Sequence, residues 1–270
     1  MTEFDLNAVK SSLAGTQFAS HLHHFPSVTS TNLLALEAAQ AGERVGVWVA
    51  DEQTAGRGRG GHGWHSTAGD GLYVSTLVTP AIPMDIALWL SLATGLAAQA
   101  AIREACELEA DIRWPNDLLL NGRKCGGILV ETAVSLAEGE RAATLRYAVI
   151  GVGINVNHAQ FPEEIETIAT SLFRESGKPT SREALLAALL RNLERQITLL
   201  LREHKGIDEE GGVLQRFAAA SSWVRGKRVR VDESGGYTGV TAGLDARGFL
   251  RVAGDDGVQH TVLSGGVRED

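Results

Sequence analysis

Apolar residues recur at helical spacing after Ser30-Thr31-Asn32, at Leu33, Leu34, Leu36, Ala38, Ala39 and Ala41, and Gly42 stops the run. A helix is predicted there, its start capped by a hydroxyl or amide side chain. The apolar run 45–50 reads as a buried strand delivering Asp51, Glu52 and Gln53 to the lip of the next loop, and 72–78 reads as a second strand. Between Met84 and Leu108 alanine and leucine dominate and β-branched residues are few, which predicts a packed core helix. Leu118, Leu119 and Leu120, then Asn121-Gly122, then Lys124, form a β-hairpin pattern, because Asn-Gly accepts the positive φ angles of a tight turn. The returning strand is notched at Gly126 and Gly127, and the apolar run 148–155 is notched at Gly151 and Gly153. Glycine inside a strand often marks close approach by a ligand, so these strands, if neighbours, flank one cavity with Asn155 beside it. Thr180-Ser181-Arg182-Glu183 has capping-box spacing and opens an amphipathic helix through Leu186, Leu189, Leu190, Leu193, Ile197 and Leu200. Beyond Val224 the period drops to two: Val229 and Val231 alternate with charged residues between glycine turns, which predicts a small β-barrel.

These elements divide the chain into a large unit, residues 1–222, and a small one, 223–270. Lys and Arg total 25 against 33 Asp and Glu, so a nucleic-acid surface would need local positive charge, and no broad basic block exists. Cys106 and Cys125 have neither zinc-site nor disulfide-framework spacing, which points to a reducing cytoplasm. The N-terminus lacks the features of a signal peptide, and no uninterrupted apolar run approaches the roughly 20 residues that span a bilayer, so no membrane partner is expected.

The segment Gly56-Arg57-Gly58-Arg59-Gly60-Gly61 combines backbone freedom with two fixed positive charges, a combination suited to phosphate oxygens. Gly56, Gly58 and Gly61 satisfy the spacing of a dinucleotide fingerprint, but residues 62–71 read as loop running into strand instead of the required helix. A Walker A loop fails for lack of Gly-Lys-Ser/Thr, and a disordered RNA-binding segment is disfavoured by the flanking strands. Taken alone, the loop also suits a solvated surface turn. His21, His23 and His24 look metal-like, but a polar pre-strand segment is the preferred reading.

Five segments then change the picture: Ser30-Thr31-Asn32; residues 53–60, Gln-Thr-Ala-Gly-Arg-Gly-Arg-Gly; Trp114-Pro115-Asn116-Asp117; residues 124–129, Lys-Cys-Gly-Gly-Ile-Leu; and residues 151–155, Gly-Val-Gly-Ile-Asn. In that order they resemble the motif set of biotin protein ligases, strongly over about residues 24–158, weakly in the later helix, and by position only beyond about 224. The resemblance implies an α+β catalytic domain of the class II aminoacyl-tRNA synthetase and biotinyl/lipoyl ligase type, followed by a small SH3-like β-barrel. It implies ATP, Mg²⁺ and biotin as cofactors and substrate, a biotinyl-5′-AMP intermediate, and a lysine of a biotin carboxyl carrier protein, such as that of acetyl-CoA carboxylase, as acceptor.

By the same resemblance, Lys124, Arg57 and Arg59 are catalytic. Ser30, Thr31, Asn32, Gln53, Arg57, Gly58, Arg59, Lys124, Gly126 and Gly127 bind biotin, and Arg59, Trp64, Arg113, Asn116, Asp117, Asn155 and Arg268 bind ATP. Asp117 faces Mg²⁺ directly, through water, or by orienting a basic neighbour. Plainer roles stay open: a solvated hairpin lysine for Lys124, N-capping for Ser30, core packing for Trp64. Arg113 stands where many relatives carry lysine, and the role of Cys125 is open. Only 29 residues, with Lys10 as their single Lys or Arg, precede Ser30, which leads us to expect a monofunctional ligase without DNA binding, monomer or homodimer. The competing expectations are a lipoate or octanoate protein ligase and a biotin-sensing module without turnover.

Overall fold

The computed structural model describes residues 4–135, 143–207 and 210–270. Helix α1 (Leu6–Ser12) leads to β1 (Leu22–Phe25), and α2 (Thr31–Gln40) connects it to β2 (Gly46–Ala50), which lies parallel to β1. Strand β3 (Gly71–Val78) runs antiparallel to β2, and α3 (Leu88–Cys106) follows it. Strands β4 (Asp111–Arg113), β5 (Asp117–Leu120), β6 (Arg123–Ser135) and β7 (Thr144–Asn155) complete a seven-stranded sheet in the order β1-β2-β3-β7-β6-β5-β4. Then come α4 (Leu172–Ser176), α5 (Arg182–His204) and α6 (Val213–Ala220).

The period-two alternation of the strands makes a three-layer molecule. Val47, Val49, Leu72, Val74, Ile150 and Val152 face the layer of α3 and α5, whose Leu90, Ala97, Leu186 and Leu193 are fully buried or nearly so. Their neighbours Trp48, Leu77, Tyr147 and Val149 face the other way and pack on Ala35 and Ala39 of α2. Each large aliphatic side chain so buried contributes about 1.5–3 kcal/mol relative to exposure. The expectation that no stretch matches a bilayer span is corrected in one respect: residues 84–106 are long and apolar enough by composition to cross a membrane. Here that helix is apolar because it lies inside the core, with Leu90, Leu92, Ala93, Ala97 and Ala101 buried.

Several local expectations shift. The capping residue of α5 is Ser181, not Thr180: its hydroxyl accepts from the Ala184 amide at 3.2 Å and donates to Glu183 at 2.8 Å. The three histidines lie in and beside the edge strand β1, where His24 stacks on Phe4 at 4.6 Å and His23 on Trp48 at 5.5 Å, so they form no metal cluster. The Asn121-Gly122 turn has the expected positive φ angles, 48° and 77°.

The C-terminal strands β8 (Arg225–Val231), β9 (Tyr237–Leu244), β10 (Leu250–Gly254), β11 (Gln259–Val262) and β12 (Val267–Glu269) form an antiparallel sheet in the order β11-β10-β9-β8-β12. Its edge strands β11 and β12 do not pair, so the expected closed barrel is not formed by hydrogen bonds; the alternation gave strands, while closure depends on pairing between chain-distant edges. The sheet shares a core with the larger unit through Trp114, Trp223 and Val224, and the Trp114 indole donates to the Gly248 carbonyl at 2.9 Å.

Candidate active site

The sheet face that carries α2 also carries the candidate site. A small pocket of about 40 Å³ opens beside the N-terminus of α2 under the 56–66 loop. Ser30, Thr31 and Asn32 are all buried there. Ser30 occupies the N-cap position but makes no side-chain cap bond. The cap comes from Gln53 instead, whose Oε1 accepts from the Thr31 amide at 2.9 Å and the Thr31 hydroxyl at 3.1 Å. Asn32 is clamped between Ser75, 2.5 Å from its Oδ1, and Glu131, which accepts from its Nδ2 at 2.8 Å.

Strands β6 and β7 pair with Gly127 opposite Gly153 and Leu129 opposite Gly151, so the glycine notches meet as the sequence pattern anticipates. What approaches them is protein. A Cβ on Gly153 would lie 2.5 Å from Nε1 of Trp64, one on Gly127 3.1 Å from the same ring, and one on Gly151 would collide with Asn32. Gly126 faces the opposite side of the sheet, against Leu118, and does not line the pocket.

Register explains how Lys124 reaches this face. Leu118 pairs with Gly126 but Leu119 with Lys124, so Cys125 is the extra residue of a bulge, which shifts the alternation and aims Lys124 beside Gly127. Cys125 itself is fully buried, its thiol donating to the Leu118 carbonyl at 3.4 Å, and burial pushes its pKa up. Its place is structural.

Lys124 Nζ lies 2.6 Å from Asp117 Oδ1 and 5.3 Å from the Trp64 ring centroid. The other Asp117 oxygen accepts from Arg113, at 2.6 Å from NH2 and 3.2 Å from Nε. Burial alone would raise the Asp117 pKa, but Lys124 and Arg113 outweigh it and hold the carboxyl below its usual range. Arg59 donates to Asn116 at 3.2 Å, and burial lowers its pKa against the opposing fields of Asp117 and Glu233. Three cations therefore converge on one paired carboxylate, at the junction between the pocket and a larger cleft that reaches Ser264, Gly265 and Gly266. Arg57 points away from this cluster and pairs with Glu131 at 3.1 Å.

Asn155 and Arg268 line only the larger cleft; Asn155 donates to the Thr170 carbonyl at 3.0 Å, and Arg268 sits 3.5 Å from Asp232. Gly58 and Trp64 line both cavities. Ser75, Glu131 and Glu233 were not anticipated. Ser75 and Glu131 each directly follow an apolar run, 72–74 in β3 and 128–130 in β6, and that polar interruption is the one signal that could have found them.

A model of the biotin/lipoate A/B protein ligase family matches residues 24–155. Over 244 residues the chain is 34% identical to biotin--[acetyl-CoA-carboxylase] ligase of Mycobacterium tuberculosis, covering 88% of this chain and 84% of that protein. The chain belongs to the biotin/lipoate ligase family. Another family member, the bifunctional ligase/repressor BirA of Bacillus subtilis, is 39% identical over 179 residues, 65% of this chain; the match spans about half of that relative, 53%. Among solved structures, biotin protein ligase from Aquifex aeolicus in complex with biotin and ATP superposes with a TM-score of 0.72 at 27% identity, over 92% of this chain and 98% of that one. Of the site residues predicted from this biotin/lipoate ligase family's motifs, only Arg268 lies outside the 24–155 match.

Proposed function

We propose that the chain is a biotin protein ligase, activating biotin with ATP and passing the biotinyl group to a lysine of a biotin carboxyl carrier protein. The observation that carries this is the meeting of a polar-ended pocket, floored by Ser30, Thr31 and Gln53, with the Lys124, Arg59 and Arg113 cations at its mouth. The pocket end supplies both donors and acceptors for a ureido ring. In the first step a biotin carboxylate oxygen attacks the α-phosphorus, the P–O bond to the β-phosphate breaks, and pyrophosphate leaves. Lys124, at the junction, neutralises charge on the carboxylate and phosphate. In the second step the acceptor amine attacks the acyl carbon, the C–N bond forms, AMP leaves, and the amine's proton goes to solvent. The 56–66 loop covers the anhydride meanwhile. The buried Trp64 Nε1, without a hydrogen-bond partner among the described residues, offers a donor beside Gly153.

A Mg²⁺ held by protein carboxylates does not fit. Both Asp117 oxygens are taken by cations, and no cluster of three His, Cys, Asp or Glu suited to a metal occurs among the described residues. Asp117 orients basic neighbours, and no step is routed through a protein-bound metal. The C-terminal sheet is read as SH3-like on its strand count and its order, β8 pairing with both β9 and β12. We place the domain boundary at 222/223, just before β8, and the site of action in a reducing compartment such as the cytoplasm, where unpaired Cys106 and Cys125 are at home.

The test is pyrophosphate release from Mg-ATP with biotin, lipoate, octanoate or no acid, followed by transfer to a carrier domain. Release with biotin alone is expected; release with the longer acids instead would move the chain to the lipoyl branch, and biotin binding without release would make it a sensor. Arg59→Gly should speed dissociation of the adenylate about ten-fold, because it removes both a cation and the bond to Asn116. An unchanged rate in stopped-flow dissociation would show that Arg59 does not hold the adenylate.

A further inference from the structure

The 56–66 loop is fastened to the sheet at two points by one continuous polar chain. At its far end Gln53 Nε2 donates to Ser66 Oγ at 3.1 Å, and Ser66 Oγ in turn to the Trp64 carbonyl at 3.1 Å. Gln53 also holds Thr31, and Ser75 sits 2.8 Å from the Thr31 hydroxyl and 2.5 Å from Asn32. From Asn32 the chain passes to Glu131 and from there back to the loop's near end at Arg57. Glu131 is the one acidic side chain in this circuit. It lies in β6 opposite Val149, among strand residues facing α2, with its side chain three-quarters buried.

We propose that Glu131 is a positioning residue, a latch that holds the arginine-glycine loop closed over the pocket through Arg57 and at the same time fixes the amide of Asn32. This deepens the ligase reading and rests on it for the identity of the ligand. The chemistry assigns different work to the two loop arginines. Arg59 lies with the cations at the cleft, whereas the Arg57 guanidinium is neutralised by Glu131 and acts as the loop's tether. Because Asn32 lines the pocket and Arg57 belongs to the lid, occupancy at Asn32 and closure of the loop are coupled through the two oxygens of one carboxylate.

Glu131→Gln keeps an acceptor for Asn32 and removes the charge that Arg57 needs. In the ligand-free full chain, amides of residues 56–66 should exchange hydrogen about five-fold faster in Glu131→Gln and in Arg57→Gln than in the parent. The double variant should be no faster than either single one, while α5 and β3 exchange as in the parent and report that the fold is kept. In steady-state adenylation by Glu131→Gln the biotin KM should rise about five-fold with kcat within about two-fold, the signature of weakened loop closure over bound ligand. Parental exchange rates in 56–66, additive single effects, or a fall in kcat at constant KM would each overturn the latch. If Glu131→Gln opened α5 and β3 as well, Arg57→Gln, whose side chain is about two-fifths exposed, would decide alone. The exchange measurement needs no biotin: changed exchange with no biotin-dependent turnover in the parent would sink the ligase reading and leave the latch, and turnover with unchanged exchange would sink only the latch.

Discussion

Replacing Lys124 with alanine is expected to slow single-turnover biotin adenylation by about 10²–10³-fold while ATP affinity changes by less than about ten-fold. The asymmetry follows from where the ammonium sits. It lies at the junction between the pocket and the larger cleft, 2.6 Å from Asp117, where the proposed reaction would bring the carboxylate and α-phosphate together and not the body of either substrate. An ammonium about 4 Å from an anion is worth up to about 4 kcal/mol at an effective dielectric near 20, and that attraction is greatest when negative charge accumulates at the transferring centre. On the proposed ligase reading, Arg113, Asn116 and Arg59, which line the cleft, remain for ATP after the substitution. Quenched-flow formation of the adenylate is the decisive measurement: a parental rate would remove Lys124 from the chemistry.

Asp117→Asn should be the more damaging change to the fold. Removing the carboxylate leaves Lys124 and Arg113 facing each other without a counter-charge, a loss on the order of 3 kcal/mol, read as a fall of several degrees in Tm. Its pH dependence has a definite sign. Burial raises the Asp117 pKa but Lys124 and Arg113 lower it further, so the folded value lies below that of the unfolded chain. The stabilisation is therefore full above the unfolded value, about 3.9, and is lost as pH falls through the folded one. The Tm gap between parent and variant should hold from pH 7 to about pH 5 and close on acidification below about pH 4. A gap that is constant down to acid pH would mean that packing, not charge, is what Asp117 contributes.

Which parts of this arrangement the sequence disclosed depended on how local their causes were. The Asn121-Gly122 hairpin was legible because its positive φ angles are demanded by two adjacent residues. The strands and α5 were legible because burial imposes a period, and α3 because a helix buried nearly all round is rich in alanine and leucine. Ser181 replaced Thr180 as the cap of α5 because two adjacent hydroxyl residues give the same local signal and only the backbone decides between them. The glycines of β6 and β7 were legible as a place of close approach, but a glycine does not say what approaches it. Asn32 and Trp64 do, from elements far along the chain. Lys124 was found by its motif, whereas the bulge at Cys125 that aims it was not, since a register shift belongs to two strands together. Glu131 escaped for the same reason: nothing in its own neighbourhood names Asn32, 99 residues earlier, as its partner.

The hydrogen bond from Trp114 to the Gly248 carbonyl gives the small C-terminal sheet a mechanical part in the site. Trp114 immediately precedes Pro115 and Asn116, which line the larger cleft, and Gly248 belongs to the turn between β9 and β10. Gly248 has φ of +92°, and a Cβ there would stand 3.0 Å from Leu92 of the core helix, so the turn has little freedom to move without carrying its carbonyl along. The β9–β10 turn thus behaves as an abutment: it lies outside both cavities, yet the shape of the larger cleft is set against it, and on the proposed ligase reading damage to that distant turn would be felt as a defect in ATP handling.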